Sequence, residues 1–212
     1  MNNFIPMLKA AGYTVVQQQV YTGPSDGNNR VPLAYKTSKF TCLESGWKEL
    51  PGGDSWFGVT WAVLKNKATS EVIAATSTHF YNIGSWDHKL PIRVENSKMI
   101  LSVTKDIVNR YGCEIVNMGD YNMRPYDEAY KVMIGDGIVD ETRFNSLRDG
   151  MIFRSGHAMG SSALIGGSPS RTIDFFFTTS KVNVLRTRIV INLQTSYCSD
   201  HWPIYIDFSL KK

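Results

Sequence analysis

The sequence predicts an α+β domain in which helices cover packed β-sheets. Two observations predict it. Many short runs rich in Val, Ile, Tyr, Thr and Phe are separated by Gly, Pro, Asn and Asp clusters, the pattern of strands joined by turns. A few stretches instead carry apolar residues at helical spacing, the longest ending at Gly112. A sheet buries a face and a helix buries a stripe, so such elements reach a common core by stacking in layers. No repeat and no linker divides the chain, so residues 1–212 read as a single domain, long enough for one sizeable core.

Asn2 or Asn3 caps a first helix that runs to about residue 11, with Gly12 as its stop. Residues 13–21 form a strand, and 22–30 a Gly/Pro/Asn/Asp loop. Strands follow at 31–36 and 40–47, then a turn cluster at 50–55. Residues 57–64 and 72–81 form a hairpin across 65–71. In it Trp61 alternates with Val59 and Val63, which favours core packing over base stacking; Trp56 and Trp202 are the other candidates for stacking. Residues 92–111 form the longest helix, with Ile100, Val103, Ile107, Val108 and Tyr111 recurring at helical spacing. Residues 114–118 are a short buried strand, and Pro125 opens a helix containing 126–133. Residues 145–171 are polar, Gly/Ser-rich and without period, marking a functional or mobile loop. Strands at 172–177, 182–193 and 203–208 close the chain.

Apolar residues make up 42% of the chain and charged residues 20%, ordinary for a globular protein. The net charge of +4 mildly favours an anionic substrate, but it is far from the dense basic patch of a dedicated nucleic-acid binder. Cys42, Cys113 and Cys198 are odd in number and widely spaced, which excludes a disulfide framework or a zinc motif. Cys198 reads as a small residue at a strand start. No run approaches the ~20 apolar residues of a membrane span, and no signal peptide is visible at the N-terminus.

Two short motifs far apart carry the chemistry: Gly119-Asp120-Tyr121-Asn122 and Ser199-Asp200-His201. Each puts acid, amide or imidazole beside an apolar run that reads as a buried strand, and strand ends in a packed sheet hold such groups rigidly. Thr78-His79-Phe80 and Ile173-Asp174-Phe175 complete the set. In this order along the chain the four motifs resemble the endonuclease/exonuclease/phosphatase superfamily, the fold of deoxyribonuclease I. The resemblance covers nearly the whole chain. It implies a four-layer α/β sandwich of two mostly antiparallel sheets flanked by helices. It also implies metal-dependent hydrolysis of a phosphodiester or phosphomonoester, with Mg²⁺ as the ion and Mn²⁺ as an alternative.

Such hydrolysis needs an oriented, deprotonated water, neutralised phosphoryl oxygens and a stabilised leaving oxygen. Asp120 is the candidate to activate the water, because an ionised carboxylate only accepts. The Asn122 amide either donates to a phosphate oxygen or holds Asp120 in place. His201 would hydrogen-bond the phosphate, with Asp174 fixing its tautomer. Asp200 either ligates the metal with Asp120 or orients His201. His79 resembles the family's second histidine, which contacts the phosphate or leaving group. Arg93 either reaches the phosphate or is surface charge in a helix's first turn. Arg171, like Arg148, Arg154 and His157, lies in or beside the long loop and either selects an anionic substrate or is solvated. His88 lies between the His79 strand and the long helix. The substrate stays open among nucleic acid, phospholipid head group and sugar phosphate, and no protein partner is implied.

The sequence departs from the family at its start. The family opens with a strand carrying an Asn and a second strand ending in Gln-Glu, that Glu being its principal metal ligand. This chain starts at what resembles the following helix, and Gln17, Gln18 and Gln19 are no substitute. The resemblance therefore implies an N-terminally truncated sandwich with open strand edges, weak metal binding, and a poorly stable or associating chain. The alternative function is a catalytically impaired fragment or a non-catalytic binding module on the same fold.

Overall fold

The computed structural model describes residues 4–16, 31–52, 57–83, 85–125, 127–135, 148–149, 173–190 and 201–211. Helix α1 (Phe4–Ala10) stops at Gly12 as the sequence predicts and leads into β1 (Tyr13–Val16). β1 pairs antiparallel with β2 (Leu33–Lys36), Val16 opposite Leu33. The rest of the predicted 13–21 strand and the 22–30 loop lie outside the described residues.

The centre of the molecule is a sheet built from β3 (Phe40–Glu49), β4 (Gly58–Asn66), β5 (Val72–His79), β6 (Glu114–Asp120), β7 (Arg148–Asp149) and β8 (Asp174–Thr178). Its order is β3-β4-β5-β6-β8-β7. Four of its pairings are antiparallel, and β5–β6 alone is parallel. Parallel neighbours need a crossover, and α2 (Trp86–Tyr111) supplies it. β9 (Val182–Ile189) and β10 (Ile204–Leu210) form a separate antiparallel ribbon.

Three expectations are corrected. α2 begins at Trp86 rather than at 92: Pro91 lies in its second turn, where the N–H it lacks would have bonded only the exposed first turn. α3 (Glu128–Ile134) begins after Pro125, because Asp127 adopts the extended conformation of an N-cap; Gly135, left-handed at φ 59°, ends it. Within the stretch read as one long loop, Arg148–Asp149 forms β7 at the sheet's edge.

The sheet's two faces differ. One carries Ala74, Thr76, Ile115, Asn117, Phe175 and Phe177, all buried, and receives the helices. Thr76 and Thr104 of α2 both donate to Asn117 Oδ1, at 2.8 and 3.2 Å. Tyr130 of α3 packs on Phe175 and Phe177. The inward side of α2 is strongly polar: Arg93, Asn96, Ser97 and Thr104 are all buried. Asn96 accepts from Tyr81 N and donates to Pro51 O, while Ser97 donates to Ala129 O. Buried polar groups need such partners, and here they tie the helix to the loops around one end of the sheet.

The opposite face, with Ala75, Ser77, Met118 and Phe176, is less completely covered. Val16 and Leu33 of the β1–β2 ribbon pack there on Ala62 and Leu64. Ile204 and Ile206 of β10 approach Met118 and Phe176. The architecture is thus an α/β fold with α2 and α3 on one side of a mostly antiparallel sheet and, on the other, a second β layer that among the described residues is two separate ribbons, α1 adjoining the β1–β2 ribbon. At the far edge, Glu44 of β3 clamps α2: it accepts from Arg110, Tyr111 and Trp61. Chiefly the Arg110 hydrogen bond holds its carboxyl down at about 2.

Candidate active site

Side chains two residues apart on a strand share a face, and register brings them into rows across neighbouring strands. His79 lies beside Asp120, and Asp120 opposite Asp174. One row of the less covered face therefore carries three of the chemistry-bearing residues at the strand ends. The ladder continues past them: Phe80 N donates to Asp120 O and Tyr121 N to Ile173 O, both at 2.9 Å. These bonds hold the backbone on both sides of Asp120.

His201, arriving just before β10, closes the group. Its Nδ1 lies 2.8 Å from Asp174 Oδ2. A carboxylate only accepts, so Nδ1 carries the proton and Nε2 is turned toward Asp120 Oδ2, 3.9 Å away. His79 Nε2 approaches the same oxygen at 3.6 Å. Asn122 sits at φ 46°, a left-handed conformation that Asn tolerates. Its backbone N–H donates to Asp120 Oδ1 at 2.8 Å, and its amide to Asp120 Oδ2 at 3.0 Å and Phe80 O at 3.3 Å. Asp120 is thus the hub of two imidazoles and one amide. The side chains of Asp174, Asp120, His201 and His79 are 13 to 29% exposed, so a ligand reaches them while the protein holds them.

Sequence reasoning missed two supports. Phe57, almost fully buried, packs its ring 5.3 Å from that of His79. Burial lowers the His79 pKa, the His201 charge lowers it further, and Asp174 opposes both, so His79 is a neutral imidazole near pH 7. Gly119 has φ 147°, and a Cβ there would lie 2.1 Å from Thr78 O. Only glycine lets β5 and β6 approach this closely beside the His79–Asp120 pair. The first residue of the Gly119-Asp120-Tyr121-Asn122 motif was the available signal; for Phe57 there was none beyond its place at a strand start.

Arg93 is completely buried, its Nε donating to Tyr81 O at 3.0 Å. Burial lowers its pKa to about 10, against the pull of Asp127 and Asp120. It braces the loop after β5. Trp202 is buried and Trp61 half-buried, its Nε1 donating to Glu44. Asp200, Arg171, Arg154, His157, Trp56 and Cys198 lie outside the described residues, as do the side chains of His88 and Arg148.

Asp120, Asp174 and His201 offer ligand atoms that all lie within 4.8 Å of one another. The two carboxylates are hard oxygen ligands of the kind a divalent cation takes, with Asp174 already bonded to His201. Asp120 is then the carboxylate best placed to hold a cation.

No protein-family model matches the chain, and no curated protein matches it. Solved structures do. An endonuclease/exonuclease/phosphatase from Bacteroides vulgatus is 23% identical, with TM-score 0.73, covering 99% of this chain and 81% of its own. A mannosyl-6-phosphatase from Bacteroides thetaiotaomicron is 18% identical, with TM-score 0.75, covering 99% of this chain and 82% of its own. ANGEL2, a 2′,3′-cyclic phosphatase in complex with adenosine-2′,3′-vanadate, is 16% identical, with TM-score 0.72, covering 97% and 77%. The chain has the fold of endonuclease/exonuclease/phosphatase structures, as the four motifs imply, and a site of carboxylates and imidazoles at the ends of its central strands.

Proposed function

We propose that this chain hydrolyses a phosphate ester with the help of a divalent cation, Mg²⁺ or Mn²⁺. The observation that carries the reading is the convergence of His79, Asp120, Asn122, Asp174 and His201 at one end of the sheet. Asp120 orients a water and takes its proton as the water oxygen bonds to phosphorus. His201, as an imidazolium whose Nδ1–H is held by Asp174, donates its Nε2–H to a phosphoryl oxygen as the bond to the leaving oxygen breaks. Neutral His79 faces the same group, and the Asn122 amide holds Asp120 in place. Asp120 and Asp200 are the carboxylates that would hold a cation, which when bound would supply neutralisation of the phosphoryl charge. Arg93, fully buried, supports the loop after the His79 strand, and Arg171 is a candidate substrate contact. The structures of similar fold include a mannosyl-6-phosphatase and a 2′,3′-cyclic phosphatase, which supports a phosphate ester as the substrate class.

The test is hydrolysis of bis(p-nitrophenyl) phosphate and of plasmid DNA with Mg²⁺, Mn²⁺ or EDTA, by the wild type and His201→Ala. Metal-dependent turnover lost in the variant is expected. A second reading is favoured by the Asp174–His201 bond, which leaves the cation few free carboxylates among the described residues: a phosphate-binding module without turnover. Phosphate binding in a folded sample that hydrolyses neither substrate would select it.

A further inference from the structure

Three turns meet at the end of the molecule opposite His79 and Asp120. Thr37 N donates to Gly12 O at 3.0 Å, Lys39 N to Lys36 O at 3.0 Å and Lys67 N to Lys39 O at 2.9 Å. These bonds join the α1–β1, β2–β3 and β4–β5 turns into one surface. Side chains tie it further. Lys67 Nζ donates to Thr37 O at 2.8 Å, Lys36 Nζ to Ala11 O at 2.7 Å, and the Thr14 and Thr37 hydroxyls lie 2.8 Å apart. β4 runs from Gly58, which is opposite His79, to Asn66 at this surface, a span of about 27 Å at ~3.4 Å per residue.

The surface carries Lys9, Lys36, Lys39, Lys65 and Lys67. Lys36 is half-buried over the Tyr13 ring, and the other four are exposed. Across residues 7–16, 33–42 and 64–72 the sole acid is Glu71, which accepts from the Thr69 hydroxyl at 2.8 Å. None of the five lysines forms an ion pair among the described residues. Like charges held on a bonded backbone repel one another, and an anionic partner relieves that repulsion.

The residue types select the kind of partner. Recognition of single phosphates and bases uses Arg forks and open aromatic faces. These stretches hold no Arg, and Tyr13, Tyr35 and Phe40 are half-buried. Lysines are point charges that suit a diffuse negative field. Met7 is 67% exposed, one helical turn before Ala11, whose carbonyl Lys36 holds. An open apolar side chain among lysines fits the boundary between lipid head groups and acyl chains.

We propose that this end of the protein docks on an anionic lipid bilayer, the five lysines over the head groups and Met7 at the acyl boundary. Docked so, the chain turns its His79–Asp120 end toward solution. On the hydrolase reading, that favours a soluble phosphate ester over a lipid head group as substrate.

The experiment is co-sedimentation of the 212-residue chain at low salt with phosphatidylcholine vesicles, with and without phosphatidylserine, beside a binding titration with a single-stranded oligonucleotide. Binding is expected to the vesicles that contain phosphatidylserine and not to those without it. Each lysine near such a surface is worth about fivefold in partitioning, so Lys39→Gln combined with Lys65→Gln should weaken binding about 25-fold. Both positions are exposed and neither side chain makes a bond among the described residues, so the double variant should keep the wild-type circular dichroism and unfolding midpoint. Three results would overturn the proposal: no phosphatidylserine-dependent binding, undiminished binding by the folded double variant, or oligonucleotide binding tighter than vesicle binding and lost in that variant, which would assign the surface to nucleic acid. None of these readouts needs turnover, so the proposal fails or stands separately from the hydrolase reading.

Discussion

Gly119→Ala tests how the sheet holds the two central side chains of the site. The Thr78–Gly119 pair adjoins the His79–Asp120 pair in the β5–β6 register. An added Cβ would sit 2.1 Å from Thr78 O and 2.8 Å from Thr78 N, both backbone atoms that cannot rotate away. Ordinary contact distances require roughly 1 Å or more of separation between the strands there. Overpacking of this kind costs about 1–3 kcal/mol, and Ala at φ 147° adds about 1–3 kcal/mol of backbone strain. A domain of ordinary stability survives that loss. The displacement falls on His79 and Asp120, and a misplacement near 1 Å costs about 100-fold in turnover. Urea unfolding should show a lower midpoint, and kcat for bis(p-nitrophenyl) phosphate should fall about 100-fold while the variant is still folded. An Ala variant with the wild-type midpoint and kcat would show that the strands part freely and that Gly119 positions nothing.

Other outcomes follow from the same geometry. Asp174→Asn replaces the acceptor-only carboxylate that sets the His201 tautomer with a neutral amide that can also donate, so kcat should drop about 100-fold with little change in KM; a change confined to KM would assign Asp174 to binding. Glu44 is held near 2 against an ordinary value of 4.5, so its contribution to stability is full above about pH 4.5 and is lost as pH falls through about 2. Because the Arg110 pair is partly exposed, Glu44→Gln should cost about 1 kcal/mol at pH 7 and flatten the acid-side fall in unfolding midpoint; parallel pH profiles for the two proteins would contradict this. The buried Tyr121 hydroxyl has no hydrogen-bond partner among the described residues. Tyr121→Phe should therefore be neutral or stabilising by about 1 kcal/mol, and a lowered midpoint would reveal a partner for that hydroxyl.

Some features of this protein are local, and these were legible. The β4 pattern marked Trp61 as packing on the core, which it does beside the buried Val59 and Val63, and the Gly stops ended α1 and α2 where the helices end. The order of the four motifs pointed to the fold of the structures that match, although no family model does. A strand's period and a glycine's freedom are properties of a few neighbouring residues, so the sequence alone determined them. Other features depended on what packs across the chain. Arg93 reads either as a phosphate contact or as surface charge in a helix's first turn; α2 begins earlier and buries it against Tyr81, which rules out the surface alternative. Phe57 touches His79 only because β4 lies beside β5. The row of His79, Asp120 and Asp174 exists because a parallel and an antiparallel register meet on β6. Register is set by long-range pairing and by which face the helices cover, and only the tertiary structure decides it.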